Sequence, residues 1–206
     1  MSAPAFPPGG TLLQTFKKSF VDVPVDASSD NAISTTEFLE AAESLTTMFD
    51  VLGSVAFSPV KSDMLGNVKK LRERQLAAPA ESENLQALVI NELKTKKHVA
   101  TEGLLWLVRG LEFTCIALSK NVDQEAEELS ASFRNAYGST LKPHHGILIK
   151  PVFSAAMSAC PYRKDFYPKL GDDHASVVAE LRAYLAALDN IVSILKEFQS
   201  RKEAKW

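Results

Sequence analysis

The stretch from Val99 to Ser119 is the most apolar in the chain, and its pattern is helical. It predicts a central helix that the other segments must surround with amphipathic faces. The remaining sequence supplies such faces. Thr11 to Phe20 reads as a short amphipathic start, and Pro24 to Ile33 as a polar loop. Ser34, with Glu37 three residues on, has the spacing of a capping box. Phe38, Leu39, Ala42, Leu45, Phe49 and Leu52 then recur at helical intervals. Ser58 reads as the cap of the next helix, with Pro59 in its first position, and Ala77 to Ser82 breaks it.

Further helices are expected over Leu85 to Lys97, from Asn121 as a cap to about Tyr137, over His144 to Ala159, and over Val177 to Gln199. Pro151 marks a kink or break in the third of these. Pro161 to Asp173 reads as a loop with one helical turn. No segment alternates with a period of two for long enough to predict a strand, and no heptad seam is sustained. The expectation is an all-α fold of about eight helices packed in layers.

Composition excludes several functions. With 206 residues, 46% of them hydrophobic, the chain can bury a sizeable core. A net charge of −2 with dispersed Lys and Arg is not the footprint of a nucleic-acid binder. Cys115 and Cys160 lie in apolar segments and are expected as buried, reduced thiols of a cytoplasmic protein. Met1 to Gly10 lacks the basic and apolar regions of a signal peptide, and Ser2 excludes N-myristoylation. The apolar stretch from Gly146 to Cys160 is too short and broken to span a bilayer, so membrane contact is expected to be peripheral.

Candidate chemistry concentrates in two helices. Asp63, Asn67 and Lys70, at offsets of 0, 4 and 7, share one stripe of the Ser58–Lys70 segment. A charged stripe is usually solvated surface; an acceptor, an amide and a cation together also suit a polyhydroxylated ligand. Gly66, in the same helix, costs about 1 kcal/mol relative to Ala, a loss best tolerated where something approaches the backbone. In the apolar helix Trp106, Gly110 and Phe113 stand at 0, 4 and 7. A Trp at this spacing is most often core; its alternative is a flat platform for a sugar ring. Arg109 lies near that face, as an anchor for Asp63 or another carboxylate, or as a surface charge. His144 and His145 open the following helix, where a His is usually a surface or capping residue but can also donate into a cleft. No metal or other cofactor is expected. His98 and Glu102 have i,i+4 spacing but no third ligand.

In order and at similar spacing, Phe57-Ser-Pro-Val-Lys-Ser-Asp-Met-Leu-Gly-Asn-Val-Lys-Lys70, Trp106-Leu-Val-Arg-Gly-Leu-Glu-Phe113, His145-Gly and Ala159-Cys-Pro-Tyr-Arg-Lys-Asp-Phe166 resemble the glycolipid transfer protein family, nearest its fungal heterokaryon-incompatibility branch. The resemblance covers roughly Ser34 to the C-terminus. It implies a two-layer α-sandwich. Residues 34–206 would form the glycolipid transfer domain, with 1–33 an N-terminal segment and first short helix of the same domain. It also implies non-enzymatic transfer of glycosphingolipids between membranes by a monomer in transient membrane contact. By resemblance, Asp63, Asn67, Lys70 and Trp106 would hold the sugar. His145, with Asp63, would hold the ceramide amide, and Phe113, Phe153 and Leu141 would line a hydrocarbon tunnel.

Membrane docking would fall to Ile147, where the family commonly has Trp, helped by Tyr162, Lys164 and Trp206. Three readings compete. A glycosidase normally needs two carboxylates, and only Asp63 is expected in the site, Glu112 facing away. A glycolipid sensor or interaction protein would use the same pocket; Met48-Phe-Asp-Val-Leu-Gly matches a docking motif poorly, and Phe49 is expected in the core. A ceramide-1-phosphate carrier would want basic residues where Asn67 and Trp106 stand.

Overall fold

A computed structural model describes residues 6–53 and 55–206; Ser2 and the rest of 1–5 lie outside the described residues. The chain runs through α1 (Thr35–Thr46), the single turn α2 (Met48–Val51), α3 (Ser58–Ala77), α4 (Leu85–Lys94), α5 (Val99–Asp123), α6 (Leu129–Ser139), α7 (Lys150–Ser158), the single turn α8 (Arg163–Phe166) and α9 (His174–Ser200). The helices stack in two layers. As its composition demands, α5 is the axis: α3, α4, α6 and α9 all pack on it, and α1 packs on α3. From Ala100 to Val122 its apolar side chains are mostly buried.

Two glycines of α5 set its distance from α3. A Cβ on Gly103 would lie 3.2 Å from the Lys70 stem and 3.4 Å from the Asn67 carbonyl, and one on Gly110 would touch Met64. The missing side chains let the two helices approach closely along the α3 face that carries Asn67 and Lys70. Gly66, by contrast, faces open space; a Cβ there would meet nothing within 4 Å, so close approach does not explain it.

The amino end of α5 is held from α4. The buried carboxylate of Glu92 accepts hydrogen bonds from the backbone N–H of Ala100 (2.9 Å) and Thr101 (2.7 Å) and from the Thr101 hydroxyl (2.7 Å). It satisfies first-turn amides that the helix itself cannot, and its charge suits the positive helix end.

Several sequence expectations are corrected. Thr11 to Phe20 forms two short 3-10 turns, Leu12–Thr15 and Phe20–Asp22, instead of one helix. The polar loop holds a two-residue hairpin, β1 (Val25–Asp26) against β2 (Ala32–Ile33), whose turn places Asp30 and Asn31 in the left-handed region. The Ser34 hydroxyl donates to the Glu37 carboxylate instead of accepting a backbone amide. Phe57, not Ser58, is the N-cap of α3, so Ser58 is already helical. Asn121 caps nothing. It is buried inside α5, where Asn121 Oδ1 accepts from Arg163 (2.8 Å) and Tyr167 (3.0 Å), and α6 starts eight residues later. The Pro151 ambiguity resolves as a helix start: α7 begins at Lys150, after a run of turns.

The N-terminal residues pack into the same core. Phe20 lies edge-on to Phe38 and to Tyr184 of α9, with centroids 6.1 and 5.8 Å away. Phe49 is buried and stacks on Phe57. Both thiols are free; Cys115 is buried and Cys160 half-buried, and burial pushes their pKa values up to about 11 and about 12.

Replacing Glu92 with Ala strands two buried amides and a hydroxyl, so a stability loss of about 3 kcal/mol is expected. For a chain of this size that is a fall in Tm of roughly 6–12 °C, measurable by calorimetry. An unchanged Tm would show that the carboxylate does not hold α5.

Candidate functional site

Two turns of α3 and the facing part of α5 form one wall of a cleft of about 340 Å³. Asp63, Asn67 and Lys70 reach it from α3, Glu102 and Trp106 from α5, and His145 from the turns before α7. Ile149, Val152 and Phe153 form its apolar side. The stripe read from the sequence is a linked unit. Lys70 Nζ donates to Asn67 Oδ1 (3.1 Å), and Asn67 Nδ2 donates to Asp63 Oδ2 (3.4 Å). Asn67 is only 3% exposed, so these bonds orient a buried amide. Asp63 itself is exposed. Partial desolvation of its carboxyl by the surrounding cleft raises its pKa above the ordinary carboxylate value, with Lys70 pulling the other way.

Trp106 is half-buried, so it is neither wholly core nor a free plate. The His145 ring stacks on it, with centroids 5.9 Å apart and planes within 21°, and the His144 ring meets it edge-on. The Arg109 guanidinium lies 4.7 Å from its ring centroid, an attractive cation–π placement. Arg109 therefore anchors Trp106 and not Asp63. Gly110, one turn on from Trp106, faces Met64.

His145 is held from three sides. Its backbone N–H donates to the Leu141 carbonyl (3.1 Å), its ring lies 4.5 Å from that of Phe153, and Nδ1 is 3.2 Å from the Tyr137 hydroxyl. Burial foremost, then the charges of His144, Arg109 and Lys150, lowers its pKa, which favours a neutral ring at pH 7. In the tautomer whose Nδ1 accepts from the Tyr137 hydroxyl, Nε2 carries the proton and is a donor.

Behind the cleft the aromatic residues are continuous. Phe153 stacks on Tyr137 (5.1 Å) and meets Phe113 edge-on (6.1 Å); Phe113 continues to Phe133, and Phe133 to Phe57. Phe113, Phe153 and Leu141 are all buried.

A family model described as glycolipid transfer protein matches residues 33–172. The chain belongs to the glycolipid transfer protein family. A glycolipid transfer protein of Aureobasidium melanogenum is 65% identical over 202 residues, covering 98% of this chain and 99% of its own. The crystal structure of HET-C2, a fungal glycolipid transfer protein, superposes with a TM-score of 0.94 at 74% identity, covering 95% of this chain and all of that one. The FAPP2 structure, described as selecting simple glycosphingolipids through this fold, gives 0.82 at 31% identity and covers 92% and 95% of the two chains.

Within this family frame, two features of the cleft go beyond the sequence reading. Glu102 lines it, so Asp63 is not its sole carboxylate. At i−4 from Trp106 on one helix face, Glu102 was within reach of the same spacing argument. Among the described residues Glu102 makes no ion pair with His98, whose ring stacks on Trp206 (5.7 Å, 17°). Among the described residues no group of three His, Cys, Asp or Glu could hold a metal ion.

The second feature is a run of exposed apolar side chains beside the opening. Ile147 is 84% and Leu148 82% exposed, followed by Ile149 and Val152, which also border the cleft. The run Ile147-Leu148-Ile149 signals this in the sequence. Tyr162 and Lys164 are exposed and paired with each other (5.9 Å), whereas Trp206 borders a different cleft, with Arg109. Among the described residues, no helix is long and apolar enough to cross a membrane.

The raised pKa of Asp63 has a stability consequence. The folded state holds its proton more tightly than the unfolded state, so this contribution is present below 3.8 and lost as pH rises through the folded-state value. Asp63→Asn removes the desolvated charge. It is expected to raise Tm at pH 7, with the advantage closing as pH falls toward 3.8. A lower Tm at pH 7 would show that Lys70 and Asn67 more than offset the desolvation.

Proposed function

We propose that this chain binds glycosphingolipids and carries them between membranes without chemistry on the cargo. The observation that carries this reading is one cleft in which a hydrogen-bonded Asp63–Asn67–Lys70 unit, the Trp106 ring and a neutral His145 open onto Phe153 and the aromatic core. Its support from relatives is the family membership and the high similarity to fungal glycolipid transfer proteins.

In this reading Asp63, Asn67 and Lys70 bond the hydroxyls of the first sugar, and Trp106 supports its apolar face. His145 and Asp63 hold the amide of the ceramide. Phe153, Phe113 and Leu141 mark the path of the acyl chains; the rings along it touch in this structure, so a chain must spread them. Each buried methylene contributes about 0.8 kcal/mol toward that displacement. Ile147 with Leu148, Ile149 and Val152 would form the membrane contact, and Tyr162 with Lys164 would add a second, weaker one. The protein would act as a cytoplasmic monomer, a setting consistent with two free thiols. Residues 34–206 would be the transfer domain, with the segment before it built into the same core.

A carrier is preferred over a glycosidase on the family, not on counting carboxylates, because Glu102 shares the cleft with Asp63. An uncharged sugar is preferred over a phosphate because the cleft offers one cation, Lys70, against those two carboxylates.

The test is vesicle-to-vesicle transfer of glucosylceramide, galactosylceramide and ceramide-1-phosphate in parallel. Sugar lipids should move and the phosphate lipid should not. Asp63→Val should cut transfer roughly 10- to 100-fold, the loss expected for charge-assisted hydrogen bonds, with an unchanged circular dichroism spectrum. Transfer that survives the substitution, or release of free sugar, would sink the reading. In a vesicle-partition assay Leu148→Asp should weaken binding, and Ile147→Trp should strengthen it, because an aromatic ring prefers the headgroup zone. Partition unaffected by both would remove this segment from docking.

A further inference from the structure

Behind Trp106 lies a second polar concavity. Leu105, Arg109, Gln199 and Lys205 line both of two adjoining clefts, of about 240 and 360 Å³, between α5 and the end of α9. Trp106 borders the head-group cleft and Arg109 borders these two, so the indole–guanidinium pair is the partition between them.

Arg109 is half-buried, and among the described residues no oxygen accepts a hydrogen bond from its guanidinium and no carboxylate lies within ion-pair distance of it; its close contact is the Trp106 ring, and Glu112 acts on it only at longer range. Burial lowers its pKa, with the charge of Glu112 pulling the other way, so its N–H groups are open to an incoming acceptor. Glu112, the carboxylate in the larger cleft, is taken by Lys196. The Lys205 ammonium has no partner among the described residues. Arg109, Lys196 and Lys205 against Glu112 leave a surplus of two positive charges. The hydroxyls of Ser139, Thr140 and Ser200 already donate to helix carbonyls. The free donors are therefore Arg109, Lys205 and the Gln199 amide, with His144 at the rim.

We propose that this cleft binds a phosphate monoester, held by the Arg109 fork and Lys205. The guanidinium presents parallel N–H groups that match two phosphate oxygens, and the surplus of two charges matches a group carrying about −1.5 to −2 at pH 7. The monoester can be that of a soluble metabolite or of an anionic lipid headgroup. Either one draws on the charge that otherwise lies over Trp106, so the second cleft is wired to the first through one ring.

The test uses the whole chain and does not depend on glycolipid transfer. The Arg109 Nε–H resonance, assigned by its loss in Arg109→Gln, is followed during titration with glycerol 3-phosphate at constant ionic strength. It is then followed with phosphatidylcholine vesicles with and without phosphatidic acid. A saturable shift with glycerol 3-phosphate supports the site with a soluble source. A shift only with phosphatidic acid vesicles supports it with a lipid source. In a parallel calorimetric titration Arg109→Gln should weaken binding about tenfold or more, the loss of a charge-assisted pair, with circular dichroism unchanged. The exposed Lys205→Gln should weaken it severalfold and keeps the test valid if Arg109→Gln misfolds. No saturable shift with either probe, or equal affinity in both variants, overturns the proposal.

Discussion

The close approach of α3 to α5 is the constraint on which the rest of this protein depends. It is set by what Gly103 and Gly110 lack. The Lys70 stem and Met64 occupy the places where side chains would stand. That contact buries the Asn67 amide at the helix interface, and the buried amide in turn lines up Asp63 and Lys70 on its two sides. It also brings Trp106, one turn from each glycine on the same helix, up to that polar unit. The polar half of the cleft is thus a by-product of helix packing, not of a flexible loop, which is the kind of support that keeps a binding group in register.

The other half is built differently. His145 sits in a run of turns and is positioned by what surrounds it: the Leu141 carbonyl, the Tyr137 hydroxyl, and the rings of Trp106 and Phe153. Rigid helices supply the polar wall, and packing of aromatic rings supplies the rest. Where the two meet, the exposed segment from Ile147 to Val152 lies at the edge of the opening.

Much of this was legible in the sequence because helical spacing is a strong local signal. The stripe of Asp63, Asn67 and Lys70 and the shared face of Trp106 and Phe113 follow from i+4 and i+7 arithmetic, and the centrality of α5 follows from its apolar composition, whereas Phe153 was implied by the family resemblance alone. The errors lie where local signals compete with tertiary contacts. Asn121 has the chemistry of a cap, yet Arg163 and Tyr167, more than forty residues away, claim its side chain. Gly66 and Gly110 look alike in sequence; one faces solvent and the other faces Met64, a difference only packing decides. Glu102 is legible by its spacing from Trp106, and the i,i+3 spacing places Arg109 near the Trp106 face without deciding between the indole and a carboxylate as its partner.

Tyr137 gives the arrangement a further property. Its hydroxyl touches His145, while its ring is stacked on Phe153 and packed edge-on to Phe113. In most proteins a buried aromatic cluster can drift by compensating changes of volume that leave the surface indifferent. Here the cluster has a lever to the surface. A change in volume at Phe153 or Phe113 moves the ring that sets the imidazole, so core and cleft cannot evolve separately, and neutral drift in one is felt as altered chemistry in the other.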